Sequence, residues 1–176
     1  SLYSGSNDFV SKLSSALGTL QKGEIGRNLV NELINSTKIV QIAERGKNKA
    51  DSNGNYILWN ATNHQGGINQ VGNTNRPSFI GLGHEMAHIQ DIWNGSYDNT
   101  IWVNGIPNAE KYSTHVENQL RAEHGIPLRT HYGISAGKGD SATPLLIPGT
   151  SASLHYKRTI TLGRYIIPTT PYIYKK

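Results

Sequence analysis

Gly83-His84-Glu85-Met86-Ala87-His88-Ile89 is the stretch of this chain whose residue types and spacing spell out chemistry. On a helix, side chains four apart share a face, so His84 and His88 can each aim a ring nitrogen at one Zn²⁺ ion. Glu85, one residue on, is angled to hold water beside that ion. Zinc lowers the pKa of water it binds towards about 7, and a neighbouring carboxylate can take the proton and later hand it to a leaving amine. Glu85 is therefore expected to be the general base and acid of a hydrolysis. The surroundings argue against histidines that merely hydrogen-bond. Ile80, Leu82, Met86, Ala87, Ile89 and Trp93 make the segment largely apolar, which leaves His84, Glu85 and His88 as buried polar groups in need of partners. Gly81 and Gly83 imply close approach, either of a substrate strand or of a packed neighbour.

Catalytic zinc takes three protein ligands and leaves a fourth position open. A metzincin arrangement would place Gly at position 91 and His or Asp at position 94; Asp91 and Asn94 stand there instead, so the third ligand must come from farther along. A helix expected over Asn108 to His124 carries Ala109, Tyr112, Val116 and Leu120 on one face. Glu110, Glu117, Arg121 and His124 form a polar stripe beside it. Glu117, central on that stripe and flanked by Arg121 and Glu110, is the expected ligand. Glu123 and Glu110 are the alternatives. Beyond the helix, Arg129 and Tyr132 present a guanidinium and a phenol three residues apart, donors suited to the oxyanion of a tetrahedral intermediate.

The elements that must position these groups follow from periodicity. Helices are expected over Phe9 to Leu20, with Ser6 or Asn7 as N-cap, and over Glu24 to Asn35. A third runs from Pro77-Ser78 to Trp93, closed by Asn94-Gly95, and carries the histidines. Lys38 to Ile42 and Tyr56 to Trp59 read as strands, paired as a hairpin or as neighbours, across the turn-rich Asp51 to Asn55. A loop rich in Gly and Asn follows from Asn60 to Asn75. Thr159 to Leu162 and Tyr165 to Ile167 are strand-like. This pattern predicts an α+β fold with a central helix pair, a small mixed sheet and long loops.

The chain has 176 residues and no cysteine, which removes disulfides, thiolate metal sites and thiol catalysis. Its length suits one domain, 1–176, with the option that it is a piece of a larger secreted polypeptide. The +5 formal charge is scattered, and no helix-turn-helix, RNP or zinc-finger signature accompanies it, so nucleic acid is not the expected partner. Apolar runs are too short to span a bilayer, so stable membrane insertion is not expected, and a soluble monomer is. Two other readings remain at this level. One is a zinc amidase acting on a non-peptide or cell-wall amide. The other is a non-catalytic binding module whose zinc is closed by a fourth ligand such as His64, His115, His131 or His155.

GHEMAH, followed by Glu117-Asn118-Gln119-Leu120-Arg121-Ala122-Glu123 and by Pro127-Leu128-Arg129-Thr130-His131-Tyr132, resembles the NleD family of effector-type zinc metalloproteases. Relatives of these injected bacterial effectors also occur as toxin modules at the ends of large secreted polypeptides. The pairing of R-x-x-Y with a Glu-type site is also similar to the light chains of clostridial neurotoxins. The resemblance implies a minimal zincin-like domain with one zinc ion, secreted or translocated into a target cell. Its substrate would be a host or rival-cell protein cut at a defined site. NleD-type members cut MAP kinases in the activation loop, and that target is carried here by family analogy alone.

Overall fold

The computed structural model describes residues 3–4, 6–133 and 142–176. Helix α1 (Asn7–Leu20) forms where Phe9, Leu13, Ala16 and Leu20 recur on one face, and the Ser6 side chain caps it by accepting the Phe9 N–H at 3.2 Å. Helix α2 (Glu24–Ile34) buries Gly26, Leu29, Val30 and Leu33 and has no side-chain cap of its own at Gly23. The carboxylate of Glu123 supplies the missing acceptors, taking the N–H groups of Ile25 at 2.8 Å and Gly26 at 2.9 Å. That satisfies two orphan donors and sets negative charge at the positive end of the helix dipole.

Strands β1 (Tyr3–Ser4), β2 (Gln41–Glu44), β3 (Lys49–Ala50) and β4 (Tyr56–Trp59) form a mixed sheet in the order β1-β2-β4-β3. β1, β2 and β4 run parallel, and β3 lies antiparallel on the edge of β4. The strands near Lys38–Ile42 and Tyr56–Trp59 are therefore neighbours but not a hairpin. The Asp51 to Asn55 turn does close a hairpin, with Asp51 N–H on the Tyr56 carbonyl at 2.9 Å and Gly54 at φ +76°. Its other arm is Lys49–Ala50, too short to show a strand pattern in the sequence.

Helix α3 (Ser78–Trp93) is buried along nearly its whole length, from Ile80 to Ile89. Indole hydrogen bonds hold it at both ends, Trp59 Nε1 donating to the Ser78 carbonyl at 3.0 Å and Trp93 Nε1 to the Gly54 carbonyl at 2.9 Å. After the short strands β5 (Ile101–Val103) and β6 (Ile106–Pro107), helix α4 (Ala109–Glu123) returns across α3. The two helices meet at Gly83, where a Cβ would stand 2.5 Å from Leu120 Cδ1 and 3.3 Å from Leu20 Cδ2. Gly83 thus serves helix packing. The core spreads from α1 and α2 through the sheet to α3 and α4.

The Gly- and Asn-rich segment before α3 is tied down by its backbone. Ile68 N–H bonds the Gly133 carbonyl at 3.0 Å, and Thr130 N–H returns to the Ile68 carbonyl at 2.8 Å. These bonds fix the strip that carries Arg129 and Tyr132. Strands β7 (Ala152–Leu162) and β8 (Tyr165–Ile173) form a separate two-stranded ribbon. Its base docks on α4, where His115 stacks on Tyr156 at 4.0 Å and hydrogen-bonds the Tyr174 hydroxyl at 2.6 Å. Among the described residues, four helices with small sheets make this an α+β fold, as the sequence indicates.

Candidate metal centre

The buried imidazoles of His84 and His88, one turn apart on α3, face the first turn of α4. There Glu110 holds one carboxylate oxygen 3.1 Å from His84 Nε2 and the other 3.2 Å from His88 Nε2. Two donors bound tetrahedrally to one ion at 2.0–2.1 Å stand about 3.3 Å apart, so this spacing has the size of a zinc site. Candidate ligand atoms of the three residues all lie within 4.8 Å of one another, and among the described residues this is the group of His, Asp and Glu donors that converges so. The chemistry agrees with the size. Burial alone would push the His84 pKa down, but hydrogen bonds to Glu110 and Glu117 outweigh it and raise it to about 9. Burial likewise opposes ionisation of Glu110, yet its bonds to His84 and His88 hold its carboxyl well below the usual range. Negative charge that draws a proton onto an imidazole offers the same attraction to a divalent cation.

Glu117, the ligand expected from the sequence, is not in this trio. It sits behind His84, its Oε2 2.9 Å from Nδ1, on the far side of the ring from Glu110. Three guanidinium groups surround it: Arg129 at 2.8 Å, Arg121 at 3.0 Å and Arg76 at 3.8 Å. Burial works against its charge, but these cations and His84 hold its carboxyl well below the ordinary value. A carboxylate that orients a metal-binding histidine from the opposite nitrogen is a recurring outer partner of zinc sites. Glu123, another alternative, is committed to capping α2.

Glu85 and Tyr132 line the same cavity as His84, His88 and Glu110, about 220 Å³ in volume and walled on its other side by Asn48, Lys49 and Ala50 of the β3 edge. That is several times the roughly 30 Å³ share of one water, so the cavity has room for part of a ligand. Burial, first, and then nearby Glu110 raise the pKa of Tyr132, so its phenol, a proton donor at neutral pH in any case, stays one further into the alkaline range. Arg129 does not line this cavity. Its side chain bonds the carbonyls of His131 and Tyr132 as well as Glu117, and its guanidinium stands 4.8 Å from the Tyr132 ring centre. A Cβ on Gly67 would lie 2.3 Å from Arg129 Nε, so the glycine-rich loop is what lets this arginine lie flat. Sequence reasoning missed Tyr97, which lines the cavity with its ring centre 6.1 Å from that of His88. It also missed Ser113, 3.2 Å from both His84 Nε2 and Glu110 Oε2. Neither falls in a recognisable pattern. Of the histidines that might have closed the site, His115 and His155 are engaged elsewhere, with Tyr174 and with the Pro144 carbonyl.

Residues 1–115 match the family model Peptidase_M91, described as "Effector protein". The matched span takes in His84, Glu85, His88 and Glu110, together with the N-terminal helices and the sheet. No curated protein and no solved structure matches the chain.

Proposed function

The chain belongs to the Peptidase_M91 family of effector proteins, and on that premise we propose that it is a zinc-dependent endopeptidase whose metal is held by His84, His88 and Glu110. As a peptidase-type effector its substrate is a protein; a site-specific cut in a host or rival-cell protein, after delivery into that cell, is our reading. The single domain expected from the sequence is kept in this proposal. The carrying observation is the convergence of three donors at metal-site spacing, with Glu85 and Tyr132 on the walls of the same cavity.

When bound, the ion supplies Lewis acidity, polarising the scissile carbonyl and making water acidic enough to lose a proton near neutral pH. Glu85 accepts that proton and returns it to the departing amine. Tyr132, a protonated phenol at neutral pH, donates its O–H to the oxyanion. Glu117 holds the His84 ring so that Nε2 points into the cavity. Arg129 works one layer back, fixing Glu117 and the backbone of Tyr132, in place of the direct oxyanion contact expected from its spacing.

The test compares the intact protein with Glu85→Gln in a search for new protein termini in treated cell lysate, with metal content measured on both. The expected result is equal zinc and loss of the new termini in the variant. Equal cutting by Glu85→Gln would remove Glu85 from its role, and a parent protein that contains no metal and takes none up would end the reading.

A further inference from the structure

Beyond its docked base, the β7–β8 ribbon stands clear of the protein: residues 157–170 are all exposed. Its register pairs Ile160 with Ile167 and Leu162 with Tyr165. Cross-strand partners share a face and alternate residues return to it, so these four side chains form one continuous apolar face. They are 53%, 41%, 66% and 60% exposed, and Ile166, on the reverse face, is 71% exposed. A two-stranded ribbon has little stability of its own in water, and an uncovered aliphatic end adds to the cost of leaving it there.

The charge that the ribbon and its flanking segments themselves carry has one sign. From residue 141 to the end there is no Asp or Glu, while Lys157, Arg158, Arg164, Lys175 and Lys176 are present. Like charge opposes stacking of a second copy of the ribbon and calls for an anionic partner. The apolar groups lie on both faces of a narrow finger. A fluid interface can surround both, whereas a flat protein surface covers one. Aliphatic side chains, a tyrosine and flanking arginines are the set that settles at the boundary between acyl chains and headgroups. We propose that the tip of the β7–β8 ribbon is a peripheral membrane contact, in which Leu162, Tyr165 and Ile166 dip into an anionic lipid surface while Arg158 and Arg164 meet headgroup phosphates. This holds whatever the catalytic site cuts.

Co-sedimentation of the full chain with phosphatidylcholine vesicles, with or without phosphatidylserine, tests it. Binding is expected to the mixed vesicles, to weaken as salt rises, and to be slight on phosphatidylcholine alone. Arg158→Gln and Arg164→Gln are each expected to weaken it about fivefold, and Leu162→Ser with Ile166→Ser by at least about tenfold. Melting temperatures should not change, because these side chains are exposed. Four results would overturn the proposal: no pelleting with mixed vesicles at low salt, equal pelleting with both lipids, apolar variants that bind like the parent, or a tip-dependent preference for a polyglutamate peptide over vesicles.

Discussion

His84 is held between two acids of one helix: Glu117 stands 2.9 Å from its Nδ1, on the side away from the cavity, and Glu110 stands 3.1 Å from its Nε2. The two carboxylates are seven residues apart, two turns of α4, and so leave the helix on the same side. Their surroundings divide their work. Glu110 meets a second imidazole, His88, whereas Glu117 meets three arginines.

Glu110→Ala and Glu117→Gln should consequently fail in different ways. Loss of an outer partner of a metal ligand costs roughly 10–100-fold in affinity, so Glu117→Gln is expected to fall in that range and Glu110→Ala to exceed it. Stability should rank the other way. Neutralising Glu117 strands buried guanidinium groups, at a cost of about 3–5 kcal/mol. Chelator competition and urea unfolding measure the two quantities, and a reversed affinity ranking would return the ligand role to Glu117.

Tyr132→Phe should leave metal content intact and lower kcat by about 10²–10³-fold with little change in KM, the usual loss for one oxyanion donor. Arg129→Lys keeps the charge but not the planar fork, and its side chain spans Glu117 and the Tyr132 carbonyl. It should therefore lose both stability and kcat. Steady-state cleavage of a fluorogenic peptide built on the identified cut site decides, and a fully active Tyr132→Phe would remove the phenol from the mechanism.

Glu123→Ala tests a structural acid that sequence alone offers as a ligand. Removing the cap on Ile25 and Gly26 should cost about 1 kcal/mol, or a melting temperature lower by roughly 2–4 °C. Zinc stoichiometry should be unchanged, and a drop in bound zinc would contradict the assignment.

His115 makes stability depend on pH. Burial lowers its pKa from 6.5 to about 4, so between those values the unfolded chain takes up a proton that the folded chain refuses. Its contribution is present above about pH 6.5 and declines as pH falls towards 4, by at most on the order of 3 kcal/mol. Urea unfolding across that window should show the loss in the parent and a flatter profile in His115→Gln; coincident slopes would show that His115 is not responsible.

Among the described residues, the four helices and the shared place of His84, Glu85 and His88 on one buried helix were legible in the sequence because each rests on spacing within one helix. The identity of the acid facing both histidines was not. Spacing along α4 puts Glu110 and Glu117 on one stripe, but the height at which α4 crosses α3 is set by the contact of Gly83 with Leu120. One cue was available: Arg121, four residues after Glu117, marks that carboxylate as already partnered. The parallel pairing of β2 with β4 was hidden because Lys49–Ala50 is too short to read as a strand. The aromatic seat of the ribbon joins His115 to a tyrosine 59 positions away, a distance that no local pattern spans.

Helix α4 acts as a ruler. It delivers Glu110 to the imidazoles, Glu117 to the arginines and Glu123 to the start of α2, three appointments kept at fixed heights along one rod. An insertion of a single residue between Glu110 and Glu117 would swing one of them about 100° from the other, dismantling reactivity and architecture together. In this chain the spacing of the candidate site and the seating of α2 on α4 are set by one length.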